Sequence, residues 1–326
     1  MNPSYVGTIF LSHHKNGGEE KVAEGSPVSN GLERAIVVTV CIVNWNTRAY
    51  LEECLQSLRD FPMADGVTEV VVVDNASTDG SVEMVRGRFP DVKLVANEHN
   101  AGYAEGNNQA LRLGTGDYLL LLNPDVVFKG DVLTPSVAFM EARPEAGALG
   151  CKLLSADGSI QRSVRSFPDP LPVLFEYLGL ARIFPKSKVF GRYRMTFLDY
   201  DSVAEVDQPM GSYLLIRRKA LDQVGLLDPD FPIFFNEVDW CFRAVRGHHW
   251  KIFYDGAISV IHYGGSSTRQ VKPKMVSESH QSLIRFYKKH YRGKIPQLLY
   301  WLIEKAVLLN ERRILRGLQQ NSVETN

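Results

Sequence analysis

Cysteine is scarce in this 326-residue chain and follows no pattern. Cys41, Cys54, Cys151 and Cys241 show no C-x-x-C spacing, so neither a disulfide framework nor a zinc site is expected. Cys41 and Cys54 read as core residues, in a reducing, cytoplasmic setting. Charge bias is absent too: Lys+Arg and Asp+Glu each total 37, which removes the electrostatic footprint of a nucleic-acid binder. No run of 18 apolar residues occurs, so no transmembrane helix is expected. The amino terminus lacks the basic-then-apolar layout of a signal peptide. Two phosphate-binding signatures are also missing. G-x-x-x-x-G-K-[ST] is nowhere present, and no G-x-G-x-x-G joins the first strand to the first helix. A P-loop enzyme and a dinucleotide dehydrogenase are thereby disfavoured. What remains, 44% hydrophobic and 23% charged, is a globular composition with a sizeable core.

Residues 1–33 are polar and aperiodic and read as a disordered, mobile arm. From residue 34 the pattern alternates. Ile36–Val43, Val70–Val73, Val92–Val95 and Leu119–Leu122 are apolar, largely β-branched or continuous runs, the mark of strands covered on both faces. Between them lie helical spacings, such as Leu51, Cys54, Leu55 and Leu58 after a Thr47 N-cap. Strand–helix alternation of this kind predicts a doubly wound parallel sheet. Beyond Asp125 the pattern loosens. A helix is expected over Val132–Met140, strands over Gly147–Leu154, Gly211–Arg218, Lys251–Tyr254 and Ile258–Ile261, and no clean period over 161–209. Residues 271–326 form a C-terminal helical extension, with a helix over Ser277–Tyr291 and another after Pro296. In the latter, Gln297, Glu304, Lys305, Glu311 and Arg312 form a polar side. Its wide apolar sector, flanked by Arg312, Arg313 and Arg316, suits a membrane surface or a partner chain. Docking onto the domain is the ordinary alternative.

Chemistry gathers at strand ends. Pro124 cannot donate to a ladder, so the run Leu119–Leu122 stops at Asn123 and Asp125. Asp74 closes the second strand in the same way. Two carboxylates on the carboxyl edge of one predicted sheet point to a nucleotide site, although Asp is also a common turn residue. A diphosphate held without a glycine cradle needs a metal, basic side chains or both, and Asp125 is a natural oxygen ligand for Mg²⁺ or Mn²⁺. Further along, aromatics crowd Asn236-Glu237-Val238-Asp239. Read structurally, Asn236 caps a helix over Val238–Arg246. Read functionally, an apolar pocket raises a carboxyl toward use as a general base. His262 ends a strand before Gly-Gly-Ser and is a further ligand candidate.

These stretches together resemble the inverting glycosyltransferases of family 2, and within them the rhamnosyltransferase-like branch of bacterial surface polysaccharide synthesis. The likeness runs from about Ala35 to Phe286. It is carried by Val43-Asn44-Trp-Asn46, by Val72 to Ser81, by Asn100-Ala-Gly102-Tyr through Asn108, by Leu122-Asn123-Pro-Asp125, by Gly211-Ser through Arg218, by Gly225-Leu-Leu-Asp228, by Asn236 to Asp239, and by His262 to Ser266. The resemblance implies a GT-A fold over 34–270, Rossmann-like, with a mostly parallel central sheet flanked by helices. It implies that Asp74 binds the pyrimidine of a nucleotide-sugar, with Asn44, Asn46 and Asn75 nearby and Gly102, Asn108 and Asn123 around the donor. Asp125 would hold Mg²⁺ or Mn²⁺ against the diphosphate, and His262 would be a further metal or phosphate contact. Asn123 replaces the first aspartate of the family's Asp-x-Asp motif, which implies weaker metal binding. Asn236-Glu237 stands where Glu-Asp is typical, so the base would be Glu237, with Asp239 in reserve. The expected partners are a nucleotide-diphosphate sugar (dTDP-rhamnose by resemblance) and a glycan or lipid-linked glycan acceptor. The expected site of action is the cytoplasm, at the inner face of the plasma membrane where the C-terminal helix touches it. A sugar-nucleotide nucleotidyltransferase would share the early sheet but needs a basic Gly-rich loop after the first strand. A nucleotide-sugar-binding scaffold of the same fold is the other alternative, given Asn123 and Asn236.

Overall fold

Asn44 and Asp74 sit opposite each other because two short β-branched strands pair in parallel. These are β1 (Val37–Asn44) and β2 (Val67–Asp74). The computed structural model describes residues 35–184, 186–264 and 271–324. The arm expected over 1–33 lies outside them, as do Gly265 and Ser266. β3 (Lys93–Ala96) and β4 (Tyr118–Leu122) complete a parallel half with order β3-β2-β1-β4. The crossovers are α1 (Arg48–Asp60), α2 (Ser81–Arg88) and α3 (Tyr103–Leu113). Side chains of a strand alternate between faces, and the two cores follow that rule. Val38, Val40, Ile42, Leu120 and Leu122 pack against Leu51, Cys54, Leu55 and Leu58 of α1. Cys41, Val71, Val73, Leu119 and Leu121 face Ala104, Ala110 and Leu111 of α3. Leu119 to Leu122 are all fully buried, each worth about 1.5–3 kcal/mol of transfer free energy.

The second half of the sheet is mixed. After β5 (Val126–Val127) and α4 (Leu133–Glu141) come β6 (Ala146–Leu154) and the short β7 (Ile160–Gln161), paired with β6 as a hairpin. The stretch without a sequence period, 161–209, is built from short pieces. They are β8 (Val164–Arg165), α5 (Pro170–Tyr177), α6 (Leu180–Ile183), β9 (Val203–Val206) and β10 (Gln208–Pro209). β11 (Tyr213–Arg217) then runs antiparallel between β4 and β6. α7 (Arg218–Val224) and α8 (Asn236–Phe242) follow, and β12 (Lys251–His262) closes the order β4-β11-β6-β12-β5.

Three local expectations are corrected. The two strands expected over 251–261 are one, β12, whose register with β6 shifts between Asp255 and Ser259. Gly256 sits in that irregularity, where a Cβ would come within 2.3 Å of the Tyr200 carbonyl oxygen. Thr47 occupies the N-cap of α1 but does not cap with its side chain. Its hydroxyl donates to Asn44 Oδ1 at 2.6 Å instead. The helix expected over 238–246 is α8 from Asn236, continued by a π-helical turn at Arg243–Gly247. Asn236 does not cap it, because its amide donates to the Ile233 carbonyl at 2.8 Å while Phe235 takes the N-cap in a left-handed conformation.

α9 (Lys272–His290) and α10 (Gln297–Glu324) pack against α5 and α8 through Val173, Val238, Leu283, Phe286, Ile303 and Val307. Glu311 belongs to this inner stripe rather than to the outer polar side. It is 8% exposed and accepts from Ser277 and Gln281 of α9. Among the described residues no helix is long and apolar enough to cross a membrane.

Candidate active site

The carboxyl ends of β1, β2 and β4 meet the start of β11 and the end of β12 at one edge of the sheet, and the sequence candidates divide into two groups there. The first surrounds Asp74. Asn44 donates to Asp74 Oδ2 at 2.8 Å and to the Ser77 hydroxyl at 3.2 Å, while Asp74 Oδ1 accepts from the Ser77 amide at 2.8 Å. Asn46, at φ 52°, accepts from the Thr78 amide at 2.8 Å. Asn75 donates to the Gly102 carbonyl at 3.0 Å and accepts from Asn97 at 2.9 Å. These bonds lock the two loops after β1 and β2 into one polar shelf. Asn108 has another task. Both ends of its amide pair with the Leu227 backbone, at 2.8 and 3.0 Å, with the side chain buried. The Asn108 amide ties α3 to the 227 loop through both its nitrogen and its oxygen.

The second group surrounds Asn123. Antiparallel pairing of β11 with β4 sets Ser212 beside Asn123, whose amide nitrogen bonds the Ser212 carbonyl at 3.1 Å. A directional chain of hydrogen bonds starts there. The Tyr103 hydroxyl donates to Asn123 Oδ1 at 2.9 Å, with the Gly211 carbonyl at 3.2 Å. Asn123 Nδ2 donates to the Ser212 hydroxyl at 3.0 Å, and Ser212 Oγ lies 3.2 Å from His262 Nε2. His262 Nε2 in turn stands 3.4 Å from Asp125 Oδ1, with both side chains 6% exposed. β12 brings these two together: His262 pairs with Val126, and the Tyr263 amide bonds the Asp125 carbonyl at 3.0 Å.

Glu237 approaches from the other side, at the start of α8. A Cβ on Gly211 would lie 3.4 Å from its Cβ and Cγ, which sets the side chain against the turn before β11. Burial pushes the Glu237 carboxyl up to about 7, against the opposing pull of the Glu237, Gly211 and Val238 amides. Tyr103 sits between the two halves. Burial first, then the Glu237 carboxylate, and more weakly Asp125, hold its phenol well above its ordinary value, so it remains a donor.

Asp239 is not in this cleft. Its side chain is fully buried, with Arg243 Nε at 2.8 Å and His290 Nε2 and Lys289 Nζ each at 2.7 Å. Burial opposes its ionisation, but bonds from His290 and Lys289 and the Arg243 charge outweigh that and hold it at about 2. A carboxylate so held is a poor base, and the reserve assignment to Asp239 is corrected to an anchor between α8 and α9. Sequence reasoning passed over Tyr103, Ser212 and Gln161. Tyr103 and Ser212 stood inside quoted motifs, each directly after a glycine, which was the available signal; Gln161 carried none.

The donor set suits a hard divalent ion. Two cis ligands of an octahedral ion at about 2.1 Å are roughly 3 Å apart, close to the 3.4 Å between Asp125 and His262. No three His, Cys, Asp or Glu residues gather to hold a metal among the described residues, so further ligands would come from water and a bound diphosphate.

A parallel β-α-β half with a mixed second half, carrying carboxylates, amides and a histidine on its strand-end edge, defines a GT-A-type nucleotide-sugar fold. The chain belongs to glycosyl transferase family 2, whose model matches residues 39–225. It is 26% identical over 292 residues to an N-acetylglucosaminyl-diphospho-decaprenol L-rhamnosyltransferase of Mycobacterium tuberculosis, covering 86% of this chain and 94% of that one. It is 25% identical to the rhamnosyltransferase WbbL of Escherichia coli, covering 84% and 96%. The fold is similar to a Pyrobaculum calidifontis mannosyltransferase solved with GDP-Man and Mn²⁺ (TM-score 0.55, 19% identity, 87% of this chain and 73% of that one).

Proposed function

We propose that the chain is a metal-dependent inverting glycosyltransferase that moves a sugar, rhamnose from dTDP-rhamnose, to a hydroxyl of a lipid-linked glycan. The observation that carries this reading is geometric: Glu237 lies against Gly211, whose carbonyl is 3.2 Å from the Tyr103 hydroxyl, and Tyr103 bonds Asn123 beside the Asp125–His262 pair. Asp74, with Asn44, Asn46 and Asn75 around it, holds the nucleotide. Glu237 takes the proton of the acceptor hydroxyl as that oxygen attacks the anomeric carbon from the face opposite the diphosphate. One displacement inverts the centre without a covalent nucleophile. Asp125 and His262 would hold Mg²⁺ or Mn²⁺, which when bound offsets charge on the departing diphosphate. Rhamnosyl transfer is supported by the names of both full-length relatives, and a prenyl-linked acceptor by the name of the Mycobacterium tuberculosis one. A cleft of about 900 Å³ lined by Gln161, Phe234, Tyr263, Lys272 and His280 opens beside His262.

The apolar outer face of α10, with three exposed arginines beyond it, supports peripheral contact with an anionic membrane surface carrying such an acceptor. The deciding assay follows nucleoside diphosphate release from dTDP-rhamnose, UDP- and GDP-sugars with Mn²⁺. Release only when donor and acceptor are both present supports transfer. Pyrophosphate turnover would favour a nucleotidyltransferase, and binding without release a scaffold.

A further inference from the structure

The hydrogen bonds around His262 fix which ring nitrogen carries the proton, and they do so through a residue far away in sequence. Gln161, on the hairpin strand β7, grips His262 at two points. Its Nε2 donates to the His262 carbonyl oxygen at 2.7 Å, and its Oε1 lies 2.7 Å from His262 Nδ1. The first bond sets the orientation of the amide: the end near the carbonyl must be NH₂, so the end near the ring must be the oxygen. An amide oxygen only accepts, which requires Nδ1 to bear the hydrogen. On the opposite side the order runs inward. Tyr103 donates to Asn123, Asn123 donates to Ser212, and the Ser212 hydroxyl is left with its hydrogen for His262 Nε2. The Gln161 side requires Nδ1–H, and the Ser212 hydroxyl has a hydrogen to offer an unprotonated Nε2. His262 Nε2, which accepts the Ser212 hydrogen in the metal-free site, also lies 3.4 Å from the Asp125 carboxylate oxygen. That separation is close to the roughly 3 Å expected between two cis ligands of one octahedral divalent ion.

We propose that Gln161 is a positioning residue that holds His262 in the Nδ1–H tautomer, with Nε2 directed to a divalent cation shared with Asp125. This rests on the metal role proposed for Asp125 and His262. Partners of this kind orient metal-bound imidazoles and raise their basicity, and their loss typically weakens metal binding about tenfold to a hundredfold. Gln161 is half-buried and lies on a two-residue strand, so its substitution leaves the main sheet intact.

Two measurements test this. Metal-free protein with ¹⁵N-labelled histidine reports the tautomer through long-range ¹H–¹⁵N correlation, the His262 signal being assigned by its loss in His262→Asn. Mn²⁺ titration followed by electron paramagnetic resonance, with and without dTDP, reports affinity. The wild type is expected to show Nδ1–H. Gln161→Met should lose that single tautomer and bind Mn²⁺ about tenfold or more weakly. Gln161→Glu keeps an acceptor for Nδ1–H and should stay within about threefold of the wild type. Wild-type Mn²⁺ binding that His262→Asn weakens but Gln161→Met leaves unchanged overturns the role of Gln161 alone, as does an Nδ1–H signal that persists in Gln161→Met. A wild type that binds no Mn²⁺ in either condition overturns the metal reading beneath it, and this inference with it.

Discussion

Two carboxylates two residues apart on α8 are driven in opposite directions by their surroundings, and that contrast separates base from anchor. Glu237 is desolvated with only backbone amides to steady its charge and rises to about 7. Asp239 is held at about 2 by His290, Lys289 and Arg243. If Glu237 is the base, kcat/KM should rise with pH along a limb centred near 7, since only the carboxylate accepts a proton. Glu237→Gln should lower kcat about a hundredfold to ten-thousandfold and abolish that limb. The stability sign is opposite to that of a paired acid. A folded value above the unfolded one means the native state holds the extra proton, so Glu237 destabilises progressively from about 4.5 to 7 and remains unfavourable above that. Glu237→Gln should therefore melt no lower than the wild type at pH 8. Asp239 behaves the other way: its stabilisation is present above about 4 and lost as pH falls toward 2. Asp239→Asn leaves Arg243 and Lys289 without their buried counter-charge and should cost about 3 kcal/mol in a urea titration without moving the acid limb of the rate profile. Loss of that limb in Asp239→Asn would transfer the catalytic assignment. The sequence could place both carboxylates near the first turn of a helix. It could not rank them, because the groups that decide are at Gly211 on one side and at Lys289 and His290 on the other.

Legibility at the level of elements follows the same division between local and distant causes. β1, β4 and the second half of β2 were readable because they are buried on both faces and written as largely apolar runs, and their ends at Asn44, Asp74 and Asn123 came with them. β7 and β8, two residues each, have no run long enough to show a period, and Gln161 was lost with them. The bulged β12 was read as two strands because Asp255 and Gly256 interrupt its apolar pattern. At the start of α3 the sequence and the geometry agree. Gly102 stands at the N-cap with φ 87° and ψ 167°, a region open to glycine alone. A Cβ there would lie 3.0 Å from the Pro232 carbonyl oxygen, the same oxygen that accepts from the Tyr103 amide at 2.7 Å. Gly102→Ala should cost about 1–3 kcal/mol in chemical denaturation. Because Tyr103 leads from this turn to Asn123, it should also lower activity more than an equally destabilising core change such as Ile42→Val. Equal activity losses at equal stability would show that the turn only supports the fold.

Across the whole molecule, α10 presents two different faces to two different environments. Ile303, Val307 and Glu311 are buried toward α5 and α9. On the opposite side Leu298, Trp301, Leu302, Lys305, Leu309, Arg312, Arg313 and Arg316 follow one another at helical spacing. Leu298 is 68% and Leu309 63% exposed. A helix that served only to dock would not need apolar residues on its solvent side, and a helix that served only as a surface would not carry four leucine- or tryptophan-sized groups in line. In the proposed membrane contact, the apolar part of the stripe would enter the headgroup boundary and the arginines after it would meet anionic phosphates. Such binding has two separable components. Apolar insertion is salt-resistant, whereas the arginine component is screened within about 8 Å at physiological ionic strength. Co-sedimentation with phosphatidylcholine vesicles should therefore be weak, should strengthen when phosphatidylglycerol is included, and should fall again with added salt. Trp301 fluorescence should shift to shorter wavelength on binding. Leu298→Glu with Leu309→Glu changes two exposed positions, so melting temperature and turnover of a water-soluble acceptor should be retained while vesicle binding and turnover of a prenyl-linked acceptor in vesicles are lost. Unchanged vesicle binding in that double variant would remove α10 from any membrane role and leave the sugar-transfer chemistry at Glu237 untouched.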